Sequence, residues 1–199
     1  MLSVEEYLNR VLELASVLEA ENCPIGEGYG RTLATDLVAK YPVPPFSNSA
    51  MDGFAVRSAD LGREGATLRV IGDIPAGSAA FWTVESGQAA RIMTGAPMPA
   101  GADCVVPVEQ TDQAPGDVPL PRFVKVEQVS PGRHVRIQGE DVGVGDLALS
   151  SGTIWSPAAA AAAASVGYVT VPLRRRAKVA VLATGTELVA PGQPLENGQ

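Results

Sequence analysis

Apolar residues in the first twenty positions recur every three or four residues, as they do on one face of a helix. They are Val4, Leu8, Val11, Leu12, Ala15 and Leu18. Ser3 and Glu6 form a capping box, in which each side chain accepts the backbone N–H of the other residue. The pattern predicts a helix that runs to about Glu19 and buries its apolar face.

Between residues 54 and 136 the pattern changes to short apolar runs rich in β-branched residues. Gly, Pro, Asp and Ser separate these runs at intervals typical of a sandwich or a barrel. The predicted strands are Phe54–Arg57, Leu68–Ile74, Ala89–Met93, Cys104–Val108, Phe123–Val126 and His134–Ile137. The proline-rich segment from Thr111 to Pro121 is predicted to be a surface loop. This part of the chain therefore predicts a small β domain inserted into the rest.

Downstream of residue 145 the pattern predicts a hairpin followed by a helix. Asp146–Leu149 and Gly152–Ile154 flank two serines, which favours a hairpin. Ser156 is an N-cap residue with Pro157 at the first helical position, and seven alanines fill the turns that follow. Gly167 is expected to end this helix.

The last stretch holds three arginines and then an apolar run. Arg174, Arg175 and Arg176 are typical of a solvated linker, with a basic patch as the alternative. The run Val179–Ala183 is typical of a buried parallel strand that opens an α/β domain, with ligand-facing residues after its carboxyl end. A single parallel strand cannot form a sheet, so we expect the chain to be a fragment or a truncated product.

Composition narrows the classes of function. The 199 residues carry a formal net charge of −7 and three lysines, whereas nucleic-acid binding needs a basic face. No apolar run approaches the roughly 20 residues that span a bilayer, and the first residues lack a secretory pattern. Cys23 and Cys104 are too far apart in sequence to suggest a metal-binding pair. We expect a soluble cytoplasmic protein that binds neither nucleic acid nor membrane.

One segment places a carboxylate where it can face a ligand. Pro44 and Pro45 hold the backbone extended, a Ser-Asn-Ser turn follows, and Asp52 then precedes Gly53 at the start of a strand. Asp-Gly is also a common hairpin signal, so a turn aspartate without a ligand is the alternative interpretation.

The remaining candidates are acidic and hydroxyl residues beside glycines. His134 is the one histidine, and because it alternates with Val135 in a predicted strand, a structural role is favoured over that of a base in a nucleophilic triad. The sequence has no P-loop, zinc motif or C-x-x-C. Besides Asp52 there remain Thr94–Gly95, Glu140–Asp141 and Glu187. Carboxylates suit Mg²⁺ that is shared with phosphate oxygens, and hydroxyl and glycine N–H groups suit an oxyanion. Each candidate has a solvated turn as its alternative.

Four blocks in order along the chain resemble the signature of the molybdopterin molybdenumtransferase family, to which the E domain of gephyrin also belongs. They are Pro44–Arg57, Arg91–Asp103, Gly139–Asp141 and Ala183–Leu188. The similarity extends over nearly the whole chain, whereas family members continue well beyond residue 199.

The resemblance implies an α+β multidomain fold. Its parts would be an N-terminal helix (1–22) that packs on the α/β domain, a mixed α/β linker domain (23–45 and 138–173), a barrel-like or sandwich-like β-rich domain (46–137) and the start of a truncated α/β molybdopterin-binding domain (174–199). Family members are elongated homodimers in which the β domain of one subunit faces the α/β domain of the other across a shared cleft.

The resemblance also implies an activity and a set of site residues. The family inserts molybdate into adenylylated molybdopterin with release of AMP in a Mg²⁺-dependent step; the alternative is a non-catalytic dimerisation or scaffold module of the gephyrin type. Catalytic roles are expected for Asp52, Thr94 and Glu187, binding of molybdopterin by Ser49, Gly95, Glu140, Thr184 and Gly185, and metal binding by Asp52 and Asp141.

The sequence departs from the family pattern in two places. Thr186 stands where the family commonly has Asp, so one acidic ligand is expected to be absent. Ile137 and Gln138 stand where arginines are common before the Gly-Glu-Asp block. Since most of the α/β domain is also missing, we expect residues 1–199 alone to be inactive.

Overall fold

The computed structural model describes residues 2–78, 82–116 and 118–198 of a mostly β chain. Helix α1 is Val4–Glu13 and helix α2 is Pro157–Ser165. The strands are β1 Ala20–Pro24, β2 Leu37–Val38, β3 Asn48–Ser49, β4 Gly53–Val56, β5 Ala66–Ile74, β6 Gln88–Ile92, β7 Cys104–Pro107, β8 Phe123–Val126, β9 Val135–Arg136, β10 Leu147–Leu149 and β11 Thr170–Arg174. Short 3₁₀ helices span Ser58–Asp60 and Val108–Gln110. Neither α1 nor α2 is long and apolar enough to cross a membrane.

A curled half-barrel sheet of five strands forms the larger core. Its order is β7-β4-β6-β5-β8, and every neighbouring pair is antiparallel except β5 and β6. Alternate residues of β4 face opposite sides: Phe54 and Val56 pack in one apolar cluster, and Ala55 packs in another. Since both sides of β4 are covered, the residues that follow Gly53 in this strand are all apolar and buried.

The predicted strands between residues 54 and 126 are confirmed, with ends that differ by at most two residues. The sixth predicted strand, His134–Ile137, is confirmed only in part. Strand β9 spans only two residues and pairs with β3 instead of joining the five-stranded sheet. His134 itself has φ +58° and lies in the turn before β9.

A second core joins the segment before the sheet to the segment after it. Strand β1 pairs with β11, and β2 pairs with β10. Trp155 lies at the centre, 1% exposed, and its Nε1 donates to the Ile25 carbonyl over 2.8 Å. Gly28 must be glycine here, because a Cβ would lie 2.1 Å from Leu173 Cδ1 and 2.8 Å from the Trp155 ring. The predicted domain bounds stay a prediction.

Helix α2 confirms the capping signals read from its sequence. The Ser156 hydroxyl accepts the Ala159 N–H over 3.1 Å, and Pro157 occupies the first turn. Ala159 and Ala163 are buried against the second core, and Gly167, at φ +97°, follows the helix end. Small side chains let this helix lie close to its neighbours.

The predicted hairpin around Ser150 is wrong. Residues 150–152 do turn, but the strands on either side pair with the segment that precedes the β-rich part of the chain. Strand β10 pairs with β2, and Ile154 bridges to Thr32. The backbone N–H of Gly152 donates to the Leu33 carbonyl, and Leu33 is 1% exposed. Burial of Leu33 and its neighbours in the second core therefore decides the pairing, as tertiary context often does.

The predicted length and burial of the first helix are also wrong, although its capping box is confirmed. Helix α1 ends at Glu13 instead of Glu19, and none of its residues is buried among the described residues. The chain after it must extend in order to pair β1 with β11, and the Arg175 N–H donates to the Glu19 carbonyl. The apolar face of α1 has no surface to pack on within the described part of the chain.

Two predictions for the last stretch need correction. The run Val179–Ala183 forms no strand and is exposed, with Val181 at 90%, because no parallel neighbour is present in the described chain. The three arginines are not merely a solvated linker. Arg174 Nη1 donates to the Leu18 carbonyl, Arg175 forms ion pairs with Glu19 and Glu21, and Arg176 Nη2 donates to the Tyr29 carbonyl.

We expect Trp155→Ala to lower the free energy of unfolding by about 3–5 kcal/mol, because it leaves a cavity in the second core and an unpaired Ile25 carbonyl. Trp82→Ala is the control, since Trp82 is 42% exposed. Urea unfolding followed by far-UV circular dichroism measures both. Equal losses for the two variants would contradict the assignment of Trp155 to the centre of a core.

Candidate functional site

Strand register brings three distant segments together at one edge of the five-stranded sheet. Gly53, the first residue of β4, lies opposite Ile92 on one side and Pro107 on the other. Both neighbours are antiparallel, so the residue before β4 lies beside the residues that follow β6 and β7. That residue is Asp52, whose carbonyl accepts the Val108 N–H over 3.0 Å.

Thr94 holds the Asp52 side chain by two hydrogen bonds. The Thr94 N–H and the Thr94 hydroxyl both donate to Asp52 Oδ1, each over 2.7 Å. The N–H, and then the hydroxyl, lower the pKa of the Asp52 carboxyl below its ordinary value. Oδ2 accepts no hydrogen bond from the residues that the structure describes. Asp52 is thus an oriented, ionised carboxylate with one oxygen open to a ligand.

The predicted residues Ser49 and Gly95 lie next to this pair and are joined to each other through their backbones. Gly95 N–H donates to the Ser49 carbonyl over 2.8 Å, and the Ser49 N–H donates to the Ala96 carbonyl. The Ser49 side chain is fully buried, and its hydroxyl donates a hydrogen bond to the Met51 carbonyl. These hydrogen bonds show that Ser49 stabilises the turn before Asp52. Contact between Ser49 and a ligand stays a prediction.

The Gly-Glu-Asp block is tied to the proline turn by its backbone. Gly139 N–H donates to the Pro44 carbonyl over 3.0 Å, and the Asp141 N–H donates to the Val43 carbonyl. Glu140 Oε2 accepts the Ile137 N–H over 2.9 Å, which closes the turn. The Asp141 side chain is exposed. A joint metal site of Asp141 and Asp52 stays a prediction.

The fourth block does not join the other three. Thr184, Gly185 and Glu187 are exposed and lie outside any helix or strand. The Glu187 carboxylate folds back beside Gly185, where a Cβ would be 2.3 Å from Oε1. Among the described residues, no group of three or more His, Cys, Asp or Glu side chains gathers at a metal-binding distance.

A cleft of about 220 Å³ opens beside Asp52, and the sequence did not predict it. We call it the Asp52 cleft; its lining includes Phe54, Ile92, Met93 and residues of the 113–121 segment. Arg91 crosses its wall. The Arg91 guanidinium bonds both carboxylate oxygens of Asp73, over 3.0 and 2.6 Å, and Nη1 donates to the Val118 carbonyl over 2.7 Å. The described residues of the segment predicted as a surface loop form no named helix or strand, and some of them, including Val118, line the cleft.

The only sequence signal for this wall was the charge of Arg91 inside an apolar strand. Its partner could not be found from sequence, because Asp73 and Arg91 pair across β5 and β6, the one parallel pair of the sheet. Parallel neighbours carry no hairpin signal that would reveal their register.

His134 has a structural place, as the sequence indicated. Its carbonyl accepts the Ala50 N–H over 2.9 Å, which supports the turn before Asp52. Burial, and then the charge of Arg133, lower the pKa of His134 below its ordinary value. A second, more polar cleft of about 330 Å³ lies against Arg133 and His134.

Comparison with known proteins bears on this geometry. A family model described as "MoeA N-terminal region (domain I and II)" matches residues 2–167. The chain is 42% identical over 205 residues to molybdopterin molybdenumtransferase 2 of Mycobacterium tuberculosis, covering 100% of this chain and 49% of that protein. It is 37% identical over 203 residues to the molybdopterin molybdenumtransferase of Staphylococcus epidermidis, covering 100% of this chain and 47% of the relative.

A solved structure is also similar. The molybdopterin biosynthesis MoeA protein of Pyrococcus horikoshii aligns with a TM-score of 0.81 and 31% identity, covering 100% of this chain and 51% of that one. The chain thus spans about half the length of the curated relatives it matches.

We expect Thr94→Val to raise the pKa of Asp52 toward its ordinary value, because the hydroxyl donor is lost and the backbone donor remains. Carboxyl ¹³C NMR titration measures this shift. A depressed folded-state pKa stabilises the fold above the unfolded-state value, about 3.9, and this stabilisation is lost as pH falls through the folded-state pKa. The stability difference between wild type and Thr94→Val should therefore be present at neutral pH and shrink in acid.

Thr67→Val is the control for this experiment, since Thr67 is an exposed residue of β5. An Asp52 pKa that stays unchanged in Thr94→Val would contradict the proposed role of the hydroxyl.

Proposed function

This chain belongs to the MoeA family, in its N-terminal region, and from that premise we propose that it forms part of an enzyme of molybdenum cofactor biosynthesis. The relatives that it matches over its whole length are named as molybdopterin molybdenumtransferases. The proposed reaction inserts molybdate into adenylylated molybdopterin and releases AMP. The substrates are then molybdate and adenylylated molybdopterin.

The observation that carries the proposal is the fixed carboxylate at the sheet edge. Asp52 Oδ1 is held by both donors of Thr94, and Oδ2 has no partner among the residues described. A group that is oriented before the ligand arrives loses little freedom when it binds, which favours catalysis. Thr94 then acts by orienting and ionising Asp52, because its hydroxyl proton is already committed to Oδ1.

The donor set fits Mg²⁺, provided that the substrate supplies most of the ligands. Mg²⁺ commonly binds one or two carboxylates together with phosphate oxygens and water, and Asp52 offers one free carboxylate oxygen. When bound, the ion would neutralise pyrophosphate charge and stabilise the AMP leaving group. Asp141 is the second carboxylate that we propose for this set. The carboxylate of Asp52 remains ionised at neutral pH and needs no deprotonation to take this role.

We further propose that a complete site forms across a homodimer. Glu187 is not brought near Asp52 by any contact within the described chain, and the relatives are about twice as long. A second wall that carries the equivalent of Glu187 would then come from an α/β domain of the partner subunit. The scaffold alternative is not favoured, since the relatives matched here are named as transferases.

We expect Asp52→Ala in the full-length protein to reduce molybdate-dependent release of AMP from adenylylated molybdopterin at least about 100-fold. Because Asp52 is exposed, its loss should change the free energy of unfolding by about 1 kcal/mol or less. Chromatographic quantification of AMP measures the first effect, and thermal unfolding measures the second.

The matched control is Asp112→Ala. Asp112 is also an exposed carboxylate that accepts a backbone N–H, that of Lys125 over 3.0 Å, and it should be dispensable for turnover. Full activity of Asp52→Ala, or global unfolding of that variant, would refute the proposed role of Asp52.

A further inference from the structure

We propose that the second cleft binds a small organic oxyanion that also carries hydroxyl groups, at a site separate from Asp52. We call it the Arg133 cleft; it measures about 330 Å³ and shares no described lining residue with the Asp52 cleft. Its lining residues are Gln110, Gln128, Val129, Ser130, Arg133 and His134. The ligand class follows from an unpaired cation, a set of polar side chains without hydrogen bonds and a buried acceptor that lacks a donor.

The cation of this cleft is unpaired, in contrast to Arg91. Arg133 forms no ion pair and no side-chain hydrogen bond within residues 2–78, 82–116 and 118–198, and no described lining residue is a carboxylate. His134 adds no charge at neutral pH, because burial, and then the charge of Arg133, lower the pKa of its imidazole below its ordinary value. The cleft therefore carries one positive charge, which attracts a ligand with an anionic group.

The other polar side chains of the cleft are also without partners. Those of Gln128, Ser130 and His134 make no hydrogen bond to another residue in the part of the chain that the structure describes. Amide and hydroxyl groups both donate and accept, so this set suits an oxyanion together with the hydroxyl groups beside it. Small-molecule sites span roughly 300–1,000 Å³, so the cleft is large enough for a small organic molecule.

Gln110 supplies an acceptor that the fold leaves unsatisfied. Its Oε1 is buried and receives no hydrogen bond from the described residues. A buried acceptor without a donor costs stability, and native proteins seldom leave one. A hydroxyl group on the ligand can donate to this oxygen, whereas sulfate has no proton to give. The ligand therefore needs a donor in addition to its anionic group.

Backbone hydrogen bonds fix the loop that carries Arg133 and His134. The Val105 N–H donates to the Arg133 carbonyl over 3.0 Å, and the Ala50 N–H donates to the His134 carbonyl over 2.9 Å. His134 has φ +58°, a conformation that costs free energy and persists where the surrounding structure holds it. The loop is thus held in place before a ligand arrives, which lowers the entropic cost of binding.

The test is an NMR titration of the 199-residue chain with glycerol 3-phosphate and, separately, with glycerate. These probes carry hydroxyl groups beside a phosphate ester or a carboxylate, so the probe that binds more tightly identifies the anionic group. We expect saturable shifts of the Arg133 Nε–H and the Gln110 and Gln128 side-chain amide signals, with a Kd below about 1 mM for at least one probe.

Two further compounds test the chemistry of recognition. Glycerol lacks the anionic group and sulfate lacks the hydroxyl group, so each should bind at least about tenfold more weakly than the better probe. Absence of saturable binding by both probes would overturn the site. Glycerol or sulfate that binds as tightly as the better probe would overturn the ligand class.

A matched pair of arginine substitutions locates the binding. Arg133→Gln removes the charge and keeps the backbone carbonyl, so it should weaken binding of the better probe at least about tenfold. Arg136→Gln changes the net charge equally, but Arg136 is exposed and lies outside the lining, so binding should change by about twofold or less. Far-UV circular dichroism confirms that both variants are folded. Equal effects of the two substitutions would place the ligand elsewhere.

Gln110→Met separates a ligand-binding role from a structural one. It removes the unpaired acceptor and keeps the length of the side chain, so the urea midpoint should stay the same or rise. Binding of the better probe should weaken at least about fivefold, because the hydroxyl group loses its acceptor. A lower midpoint with unchanged binding would show that Gln110 is structural and would refute the role given to Oε1.

Discussion

The register of β4 between two antiparallel neighbours is the constraint on which the rest of the site depends. All four residues of β4 are buried, so the strand cannot slip by one residue without exchanging its two apolar faces. Gly53 fixes the end of this register, because a Cβ would lie 2.1 Å from the Val106 carbonyl oxygen and 2.9 Å from Pro107. A larger residue would push β7 away, and Asp52 would lose its contact with Val108. The position of the carboxylate is therefore set by packing behind it.

The same sheet builds the cleft, through a contact of a different kind. Asp73 and Arg91 lie opposite each other on β5 and β6 and form an ion pair. The guanidinium of Arg91 also donates to the Val118 carbonyl. A partly exposed ion pair contributes little to overall stability, but this one fixes the distance between a strand and an irregular segment. The ion pair therefore matters for the geometry of the cleft rather than for overall stability. It holds β5, β6 and the segment at Val118 in fixed positions relative to one another.

Local patterns were sufficient to predict strands and caps but not their partners. Alternation and turn residues located the strands from Phe54 to Val126, and Ser156 with Pro157 located α2, because these signals act over a few residues. The pairing of β10 with β2 depends on Leu33 and Leu37, more than a hundred positions away, and the sequence interpretation chose the nearer hairpin. Asp52 and Thr94 were candidates from the residue pattern, and the family resemblance gave them catalytic roles, but neither predicted that the two side chains are in direct contact. Arg91 was missed because its partner lies across a parallel pair.

The charges of the described residues set a requirement for the function proposed above. These residues present an ionised carboxylate, an apolar cleft and a guanidinium that is already paired, on a chain of net charge −7. Molybdate and pyrophosphate are anions, and both are repelled by Asp52 unless a cation lies between them. Arg136, which lies opposite Asn48 on β9, is exposed but is not among the residues that line the Asp52 cleft. Under the proposed function two anionic substrates bind near Asp52, so further positive charge must come from a divalent ion or from residues other than those described.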